Sequence, residues 1–111
     1  MTIANLAWGS FFFWNGRSES LEAQAFEPVK NPIEMHDTWP NVISKLQKDD
    51  NYQKMFSDAF GQNAIDSVNA TYAIAQFERI MITANSKYDQ GYYLTPQFSN
   101  FDSIEMFGRI I

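Results

Sequence analysis

The sequence of 111 residues contains no cysteine, and histidine occurs only once, at position 36. The lack of cysteine excludes disulfides, thiolate metal sites, cysteine nucleophiles and covalent cofactor attachment through a C-x-x-C-H motif within this chain. A single imidazole with no partner at helical spacing is a poor signal for a metal site. We therefore predict no metal site and interpret His36 as an exposed loop residue.

Long apolar runs and clusters of positive charge are also missing. The run from Phe11 to Trp14 is far too short to cross a bilayer, and the N-terminus lacks a basic region followed by an apolar stretch. The eight Lys and Arg residues are scattered, and thirteen Asp and Glu bring the net charge to -5. We therefore predict no membrane span, no signal peptide within the chain and no nucleic-acid partner. A basic protein partner suits this charge better.

Apolar residues, by contrast, are plentiful. They make up 45% of the chain, and aromatic residues alone make up 16%, so the chain has enough material to bury a core. Its length suits a single modest core. The sequence therefore predicts one folded domain over residues 1–111.

Four apolar stripes recur at helical spacing and predict four short helices. The first begins after Asn15-Gly16, with Ser18 or Ser20 as its cap, and ends at Pro28 and Asn31-Pro32. Thr38 caps the second, Asp49 or Asp50 opens the third, which stops at Gly61, and the fourth runs from about Asp66 to Ile82. The stripes are Leu21, Ala25, Phe26; Trp39, Val42, Ile43, Leu46; Tyr52, Met55, Phe56, Ala59; and Ala70, Ala73, Ile74, Phe77, Met81.

The remaining segments add one helix and no strand pair. We predict a loop from Thr83 to Tyr93, followed by a helix that begins at Thr95-Pro96. Asn15-Gly16 is a hairpin dipeptide by type, but the polar residues 17–20 cannot form a second arm. The predicted fold class is therefore all-α, with about five short helices. The stripe of the last helix is Phe98, Phe101, Ile104 and Phe107.

Several short segments occur in a fixed order along almost the whole chain. They are Asn5-Leu6-Ala7; Phe12-Phe13-Trp14-Asn15-Gly16-Arg17; Leu21-Glu22-Ala23-Gln24-Ala25; Asn31-Pro32-Ile33-Glu34-Met35; Tyr52, Phe56 and Ala59-Phe60-Gly61; Ala73-Ile74-Ala75-Gln76-Phe77-Glu78-Arg79; Asn85-Ser86-Lys87-Tyr88-Asp89; Leu94-Thr95; and Glu105-Met106-Phe107-Gly108. Their order and spacing resemble the motifs of the di-haem cytochrome c peroxidase family, which includes related enzymes that mature tryptophan tryptophylquinone.

The resemblance implies a cytochrome c-like helical fragment lying between two C-x-x-C-H motifs, one upstream and one downstream of this chain. The full-length protein would hold two c-type haems, with calcium possible, and would be a periplasmic oxidoreductase. It would reduce hydrogen peroxide to water with electrons from a small cytochrome or cupredoxin. This chain alone would bind haem poorly and be inactive.

The resemblance also implies roles for five residues. Trp14 matches the tryptophan of F-W-D-G-R, which relays electrons between the haems. Glu34 and Gln24 match distal residues of the peroxidatic haem, where Glu34 would move protons and Gln24 would orient peroxide. Met35 and Arg17 would lie in the haem vicinity, Met35 by packing and Arg17 by pairing with a propionate.

Each of these residues has a plainer interpretation. Trp14 would be a buried aromatic, Glu34 a solvated loop carboxylate and Gln24 an exposed helical residue. Arg17, like Arg79, would form a surface or intra-domain ion pair. The sequence also departs from the family pattern, since Asn15 stands where the family usually has Asp. The spacing between Leu94-Thr95 and the following E-x-x-G motif is also longer than usual.

Two other functions stay open at this point. One is a related di-haem enzyme that oxidises a protein residue instead of a small donor. The other is a haem-free helical interaction module whose exposed face is formed by residues 11–14. Under either interpretation we expect the isolated chain to self-associate, because apolar surface that a partner would cover is left bare.

Overall fold

The computed structural model describes residues 2–90 and 102–108, and these residues are helical. A short 3-10 helix, η1, precedes six α-helices, and no β-strand occurs in the described part of the chain. The all-α prediction is confirmed. The helices are η1 (Leu6–Trp8), α1 (Leu21–Lys30), α2 (Trp39–Gln47), α3 (Asp50–Phe60), α4 (Ser67–Ile80), α5 (Lys87–Asp89) and α6 (Ser103–Gly108).

The helix starts follow the capping residues in the sequence. The Ser20 hydroxyl accepts a hydrogen bond from the Ala23 amide at 3.1 Å and starts α1. Side chains of Thr38, Asp49 and Asp66 cap α2, α3 and α4 in the same way. Helix α3 ends at Gly61, whose φ of 94° is a conformation that favours glycine.

The chain divides into two compact units, Met1–Met81 and Ile82–Ile111. In the first unit, each of α1 to α4 contributes one residue to a buried cluster, formed by Val29, Trp39, Phe56 and Ala70. A second buried cluster joins the segment before α1 to the helices and contains Phe12, Leu21 and Ala75, with Leu6 packed against it. These two clusters fix both ends of α1, where the candidate site residues lie.

Trp39 anchors the first cluster by both of its parts. Its ring stacks on Phe26 with centroids 4.9 Å apart, and its indole N–H donates to the Phe26 carbonyl at 3.1 Å. A buried indole with its N–H satisfied carries no desolvation cost for that group. The predicted stripe of the second helix is confirmed, since Val42, Ile43 and Leu46 pack against the same cluster.

Three local predictions were wrong. Pro28 does not end α1, which continues to Lys30, because the proline φ is helical and only one amide donor is lost near the helix end. The loop predicted after Thr83 contains the single turn α5, held by a capping box between Ser86 and Asp89. Phe12 and Ser18 form one antiparallel bridge, although no strand extends from it.

The predicted last helix is only partly described. Its proposed start at Thr95-Pro96 lies outside the described residues, as do Phe98 and Phe101 of its stripe. The described part is α6, in which Ile104 is exposed. In this second unit, Lys87 pairs with Glu105 at 2.6 Å.

Helix α4 buries a different face from the one predicted. The stripe through Ala73 and Phe77 is exposed, and Phe77 keeps 56% of its surface accessible. The buried face instead contains Ala70, Thr71, Ala75 and Glu78. Because α4 has apolar residues on two opposite sides, its periodicity could not decide which side meets α1. No helix in the described residues is long and apolar enough to cross a membrane.

We expect Asp37→Asn to lower the melting temperature of the chain at pH 7. The Asp37 carboxylate accepts from the Thr38 amide at 2.7 Å, from Asn41 at 2.7 Å and from Lys45 at 2.8 Å. Led by the Lys45 hydrogen bond, these donors lower the pKa of Asp37 from its usual 3.8 to about 2. A depressed pKa stabilises the fold above the unfolded value, and this stabilisation is lost as the pH falls through the folded one.

The measurement is thermal unfolding by circular dichroism between pH 7 and pH 2. The difference between wild type and Asp37→Asn should be largest at neutral pH and should shrink as the pH falls from about 4 towards 2. Asp58→Asn is the control, because Asp58 is exposed on α3. Equal melting temperatures for the two variants at pH 7 would contradict this role of Asp37.

Candidate functional site

Trp14 lies at the tip of a tight loop before α1. The bridge between Phe12 and Ser18 closes this loop, with the Phe12 amide donating to the Ser18 carbonyl at 2.8 Å. Phe13 and Gly16 both have positive φ, and Phe12 anchors the loop because it is 96% buried. Trp14 itself is 100% exposed, so the interpretation of a buried aromatic is wrong.

The same geometry corrects the exposed face predicted for an interaction module. That face was to include Phe12, which is buried in the second core cluster. Phe11 is 67% exposed, and so is Trp8 at 70%. The aromatic surface before α1 therefore consists of Trp8, Phe11 and Trp14 and not of a continuous run.

Arg17 is held inside this loop by two neighbours. Its guanidinium carbon lies 3.5 Å from the centroid of the Phe13 ring, which is a cation–π contact. Its Nη1 also donates to Asn15 Oδ1 at 3.2 Å. Where the family pattern has Asp, this chain therefore keeps a hydrogen bond to Arg17 without an ion pair.

Gln24 lies in the first half of α1 and is half-buried. Pro28 follows it by four residues and so occupies the same side of the helix, one turn further on. The Met35 amide donates to the Pro28 carbonyl at 3.3 Å, and the Asp37 amide donates to the Val29 carbonyl at 2.9 Å. The loop carrying Glu34 and Met35 therefore folds back onto the turn of α1 that follows Gln24.

Glu34 is exposed on this loop, and its position is fixed by Asn31. The Glu34 amide donates to the Asn31 carbonyl at 3.0 Å, while Asn31 Nδ2 donates to Glu34 Oε1 at 2.8 Å. No hydrogen bond joins Glu34 to the Gln24 side chain among the described residues. The carboxylate thus has one oriented oxygen and one that faces solvent.

Apolar surface accompanies the polar residues at both ends of α1. After the helix, Ile33 is 93% exposed and Met35 is 65% exposed. Before the helix, Trp14 is fully exposed. A helix of ten residues is about 15 Å long, so α1 separates the Trp14 loop from the Glu34 loop by roughly that length. The two ends suit two contacts with one large apolar group or with two separate groups.

The residues match one known family over most of their length. Residues 1–95 match the family described as di-haem cytochrome c peroxidase. The chain belongs to this family. The match ends at residue 95, so the likeness of residues 105–108 to the E-x-x-G motif stays a prediction.

Named peroxidases and a methylamine protein are among the relatives. The chain is 38% identical over 90 residues to the cytochrome c peroxidase Ccp of Escherichia coli, covering 80% of this chain and 19% of that protein. It is 37% identical over 89 residues to the methylamine utilization protein MauG of Methylorubrum extorquens, covering 79% and 25%. It is 34% identical over 92 residues to the cytochrome c551 peroxidase of Nitrosomonas europaea, covering 80% and 27%. The chain thus spans about a quarter of these relatives' length.

A di-haem peroxidase needs haem attachment and haem surroundings, and this chain can supply only the second. It has no cysteine, so no c-type haem can be attached to it covalently. The exposed side chains of Trp14, Ile33 and Met35 fit the apolar faces of a porphyrin. Glu34 and Gln24 are polar groups next to that surface. Among the described residues, no three His, Asp or Glu side chains cluster as a metal site.

Arg79 forms an ion pair inside the peroxidase fragment. Its Nη1 lies 2.7 Å from Glu22 Oε1, which joins α4 to the first turn of α1. The hydrogen bond from Arg79 lowers the pKa of the Glu22 carboxyl, and the same bond raises the pKa of Arg79. The interpretation of an intra-domain ion pair is therefore confirmed for Arg79.

Glu78 is a buried carboxylate to which the sequence analysis gave no role. It is 9% exposed, and its Oε2 has no hydrogen-bond partner within the described residues. Burial raises the pKa of Glu78, and the charge of Arg79 opposes this only in part. The signal was present in the sequence, because Thr71, Ala75 and Glu78 share one face of α4 at spacings of four and three.

We expect Glu78→Met to stabilise the chain by about 1–2 kcal/mol at pH 7, since it replaces an unpaired buried carboxylate with an apolar side chain of similar shape. A raised pKa contributes stability that is complete below the unfolded value, here near 4.5, and that is lost as the pH rises through the folded value. Urea unfolding at several pH values measures this. The gain should disappear at pH 4, and Glu19→Met, at an exposed site, should show none.

Proposed function

We propose that this chain is the central segment of a periplasmic di-haem enzyme that reduces hydrogen peroxide to water. Electrons would come from a small redox protein, either a cytochrome or a cupredoxin. The observation that carries the proposal is the uncovered apolar surface at both ends of α1, where Trp14 is fully exposed on one loop and Glu34 lies beside exposed Ile33 and Met35 on the other. Membership of the family supports it.

Glu34 is suited to move protons during peroxide cleavage. Reduction of one peroxide molecule to two waters consumes two protons and two electrons, and a proton must reach the oxygen that leaves. The Asn31 amide holds one Glu34 oxygen at 2.8 Å, so the second oxygen can take up and release a proton in a fixed direction. Haem, when bound, would supply the iron where peroxide binds and the route by which electrons arrive.

Gln24 is suited to orient peroxide next to Glu34. Its amide group carries both a donor and an acceptor, so it can hold a peroxide oxygen without changing charge. It is half-buried one turn before Pro28, whose carbonyl accepts from the Met35 amide. Closer approach of the Gln24 and Glu34 side chains requires only rotamer changes, since both side chains are partly or fully accessible.

Trp14 is suited to pass electrons, because its indole is held away from the rest of this segment and can contact other groups on both faces. Arg17 stiffens the loop through its contact with Phe13 and can also meet a haem propionate with its remaining donors. Met35 would pack at the haem edge. Calcium bound elsewhere in the full-length protein is compatible with this arrangement.

A second candidate is a related di-haem enzyme that oxidises a residue of another protein. The observation in its favour is the identity of 37% to a MauG protein, which nearly equals the 38% to a cytochrome c peroxidase. Both candidates use the same segment, and they differ in what delivers the electrons. The isolated chain would be inactive in either case.

The deciding experiment assays the full-length protein, carrying its haems, for two peroxide-dependent reactions. The first is oxidation of a reduced small cytochrome or cupredoxin, followed by absorbance. The second is oxidation of residues in a protein partner, followed by mass spectrometry. Steady turnover of the reduced donor supports the peroxidase proposal. Residue oxidation without donor turnover would support the second candidate, and neither reaction would overturn both.

A further inference from the structure

An apolar groove lies between α3 and α4, away from the candidate site. Its floor is formed by the small residues Ala59 and Ala73, and larger side chains rise on both sides. None of the lining residues is charged. They are Ala59, Phe60, Tyr72, Ala73, Gln76, Phe77 and Ile80.

Helix α4 is apolar on two opposite sides, which is the pattern of a helix covered on both sides. Its first eleven residues, 67–77, contain no charge. One side is already buried against α1 and η1, while Phe77 and Ile80 on the groove side are 56% and 68% exposed. A helix that faces solvent normally places charged residues on that face. The groove side of α4 is therefore built to meet another element.

The chain before η1 emerges next to this groove. The Asn5 amide donates to the Met81 carbonyl at 2.9 Å, immediately after the end of α4 and one residue beyond Ile80. Residues that precede Ile3 in a longer protein would thus start within a few residues of the groove. Residues that follow Ile111 would start thirty residues beyond Met81, since 111 - 81 = 30.

We propose that a helix from the part of the full-length protein that precedes this chain packs into the groove between α3 and α4. The proposal rests on the proposed function only in that both need a longer protein, and relatives several times longer than this chain support that. The helix would be amphipathic, with large apolar residues at a spacing of three or four. Ala59 and Ala73 would allow its backbone to approach closely, as small residues do at helix crossings.

A second copy of the chain fits this groove poorly. In a twofold dimer the same surface meets itself, and two grooves with small residues at their floors leave a void between them. The net charge of -5 on each copy also opposes close association. A convex helix fills the groove without either cost.

The test places a photo-crosslinker in the groove of the full-length protein through Phe77→p-benzoylphenylalanine. After irradiation, mass spectrometry identifies the peptide joined to position 77. The proposal expects a peptide that precedes this chain. A peptide that follows the chain, a peptide from a second molecule, or no crosslink would each overturn it. Lys54→p-benzoylphenylalanine, at an exposed position outside the groove, should give no such crosslink.

A second variant checks that the groove is filled in the folded protein. Ala73→Trp should lower the melting temperature of the full-length protein by at least about 3 °C, because it overfills an occupied groove. The same change should leave the melting temperature of the 111-residue chain unchanged, since its groove is open. Neither readout depends on peroxide turnover. A full-length protein with no peroxidase activity could therefore still show the crosslink, and an active one could lack it.

Discussion

Glu34→Gln in the full-length protein is expected to lower the rate of peroxide reduction by about 10²- to 10⁴-fold, the range for loss of a general acid–base group. Glutamine keeps the shape of the side chain and can still accept from Asn31, whose Nδ2 donates to Glu34 Oε1 at 2.8 Å. It cannot take up and release a proton. The loss should therefore appear in turnover while the loop and its backbone hydrogen bonds stay in place.

The control is Glu27→Gln, which makes the same chemical change on α1. Glu27 is exposed and pairs with Lys30 at 3.0 Å, a surface pair worth little to stability. Peroxide turnover in this variant should stay within about twofold of wild type. A Glu34→Gln enzyme that turns over at the wild-type rate would remove Glu34 from the chemistry.

Trp14→Phe is expected to slow electron transfer by at least about tenfold, equivalent to about 1.4 kcal/mol of activation free energy. Phenylalanine keeps an aromatic ring but lacks the larger and more easily oxidised indole. Trp14 is 100% exposed, so the substitution removes no packing from this segment and should leave its melting temperature unchanged. A change in rate therefore reports on the relay and not on folding.

Trp8→Phe provides the matched comparison. Trp8 is 70% exposed, lies in η1 six residues before Trp14, and would undergo the same chemical change. Its variant should transfer electrons at the wild-type rate, as judged by the re-reduction of the oxidised enzyme by its donor protein. Equal slowing in both variants would argue that general aromatic surface matters and that Trp14 has no special role.

The parts of the fold that the sequence predicted well depend on local signals. Thr38 and Asp66 cap helices in the structure because their side chains reach amide groups three residues ahead. The α2 stripe predicted the burial of Trp39 because that helix is polar on its other side, so only one orientation hides its apolar residues.

The orientation of α4 could not be predicted from its own residues. Both of its sides are apolar, and the choice between them depends on α1, where Glu22 pairs with Arg79 and Leu21 packs against Ala75. A contact between helices about fifty residues apart leaves no trace in local periodicity. Glu78 was passed over for the same reason, since its burial follows from that orientation.

The candidate site could be predicted residue by residue but not as an arrangement. Motif positions singled out Trp14, Gln24 and Glu34, whereas the exposure of Trp14 depends on the bridge between Phe12 and Ser18. That bridge requires positive φ at Phe13, a conformation that is uncommon for a bulky residue and that no pattern indicates. The roles of these residues stay predictions until they are measured in the full-length protein.

The account divides the work between the two ends of α1, with proton movement at Glu34 and electron transfer at Trp14. The direct test is a stopped-flow experiment in which the oxidised and reduced haem absorbances are followed after peroxide is mixed with the reduced full-length protein. Glu34→Gln should slow only the step that depends on peroxide concentration, and Trp14→Phe should slow only a later step that does not. Slowing of the same step by both substitutions, or of neither step by either one, would contradict the account.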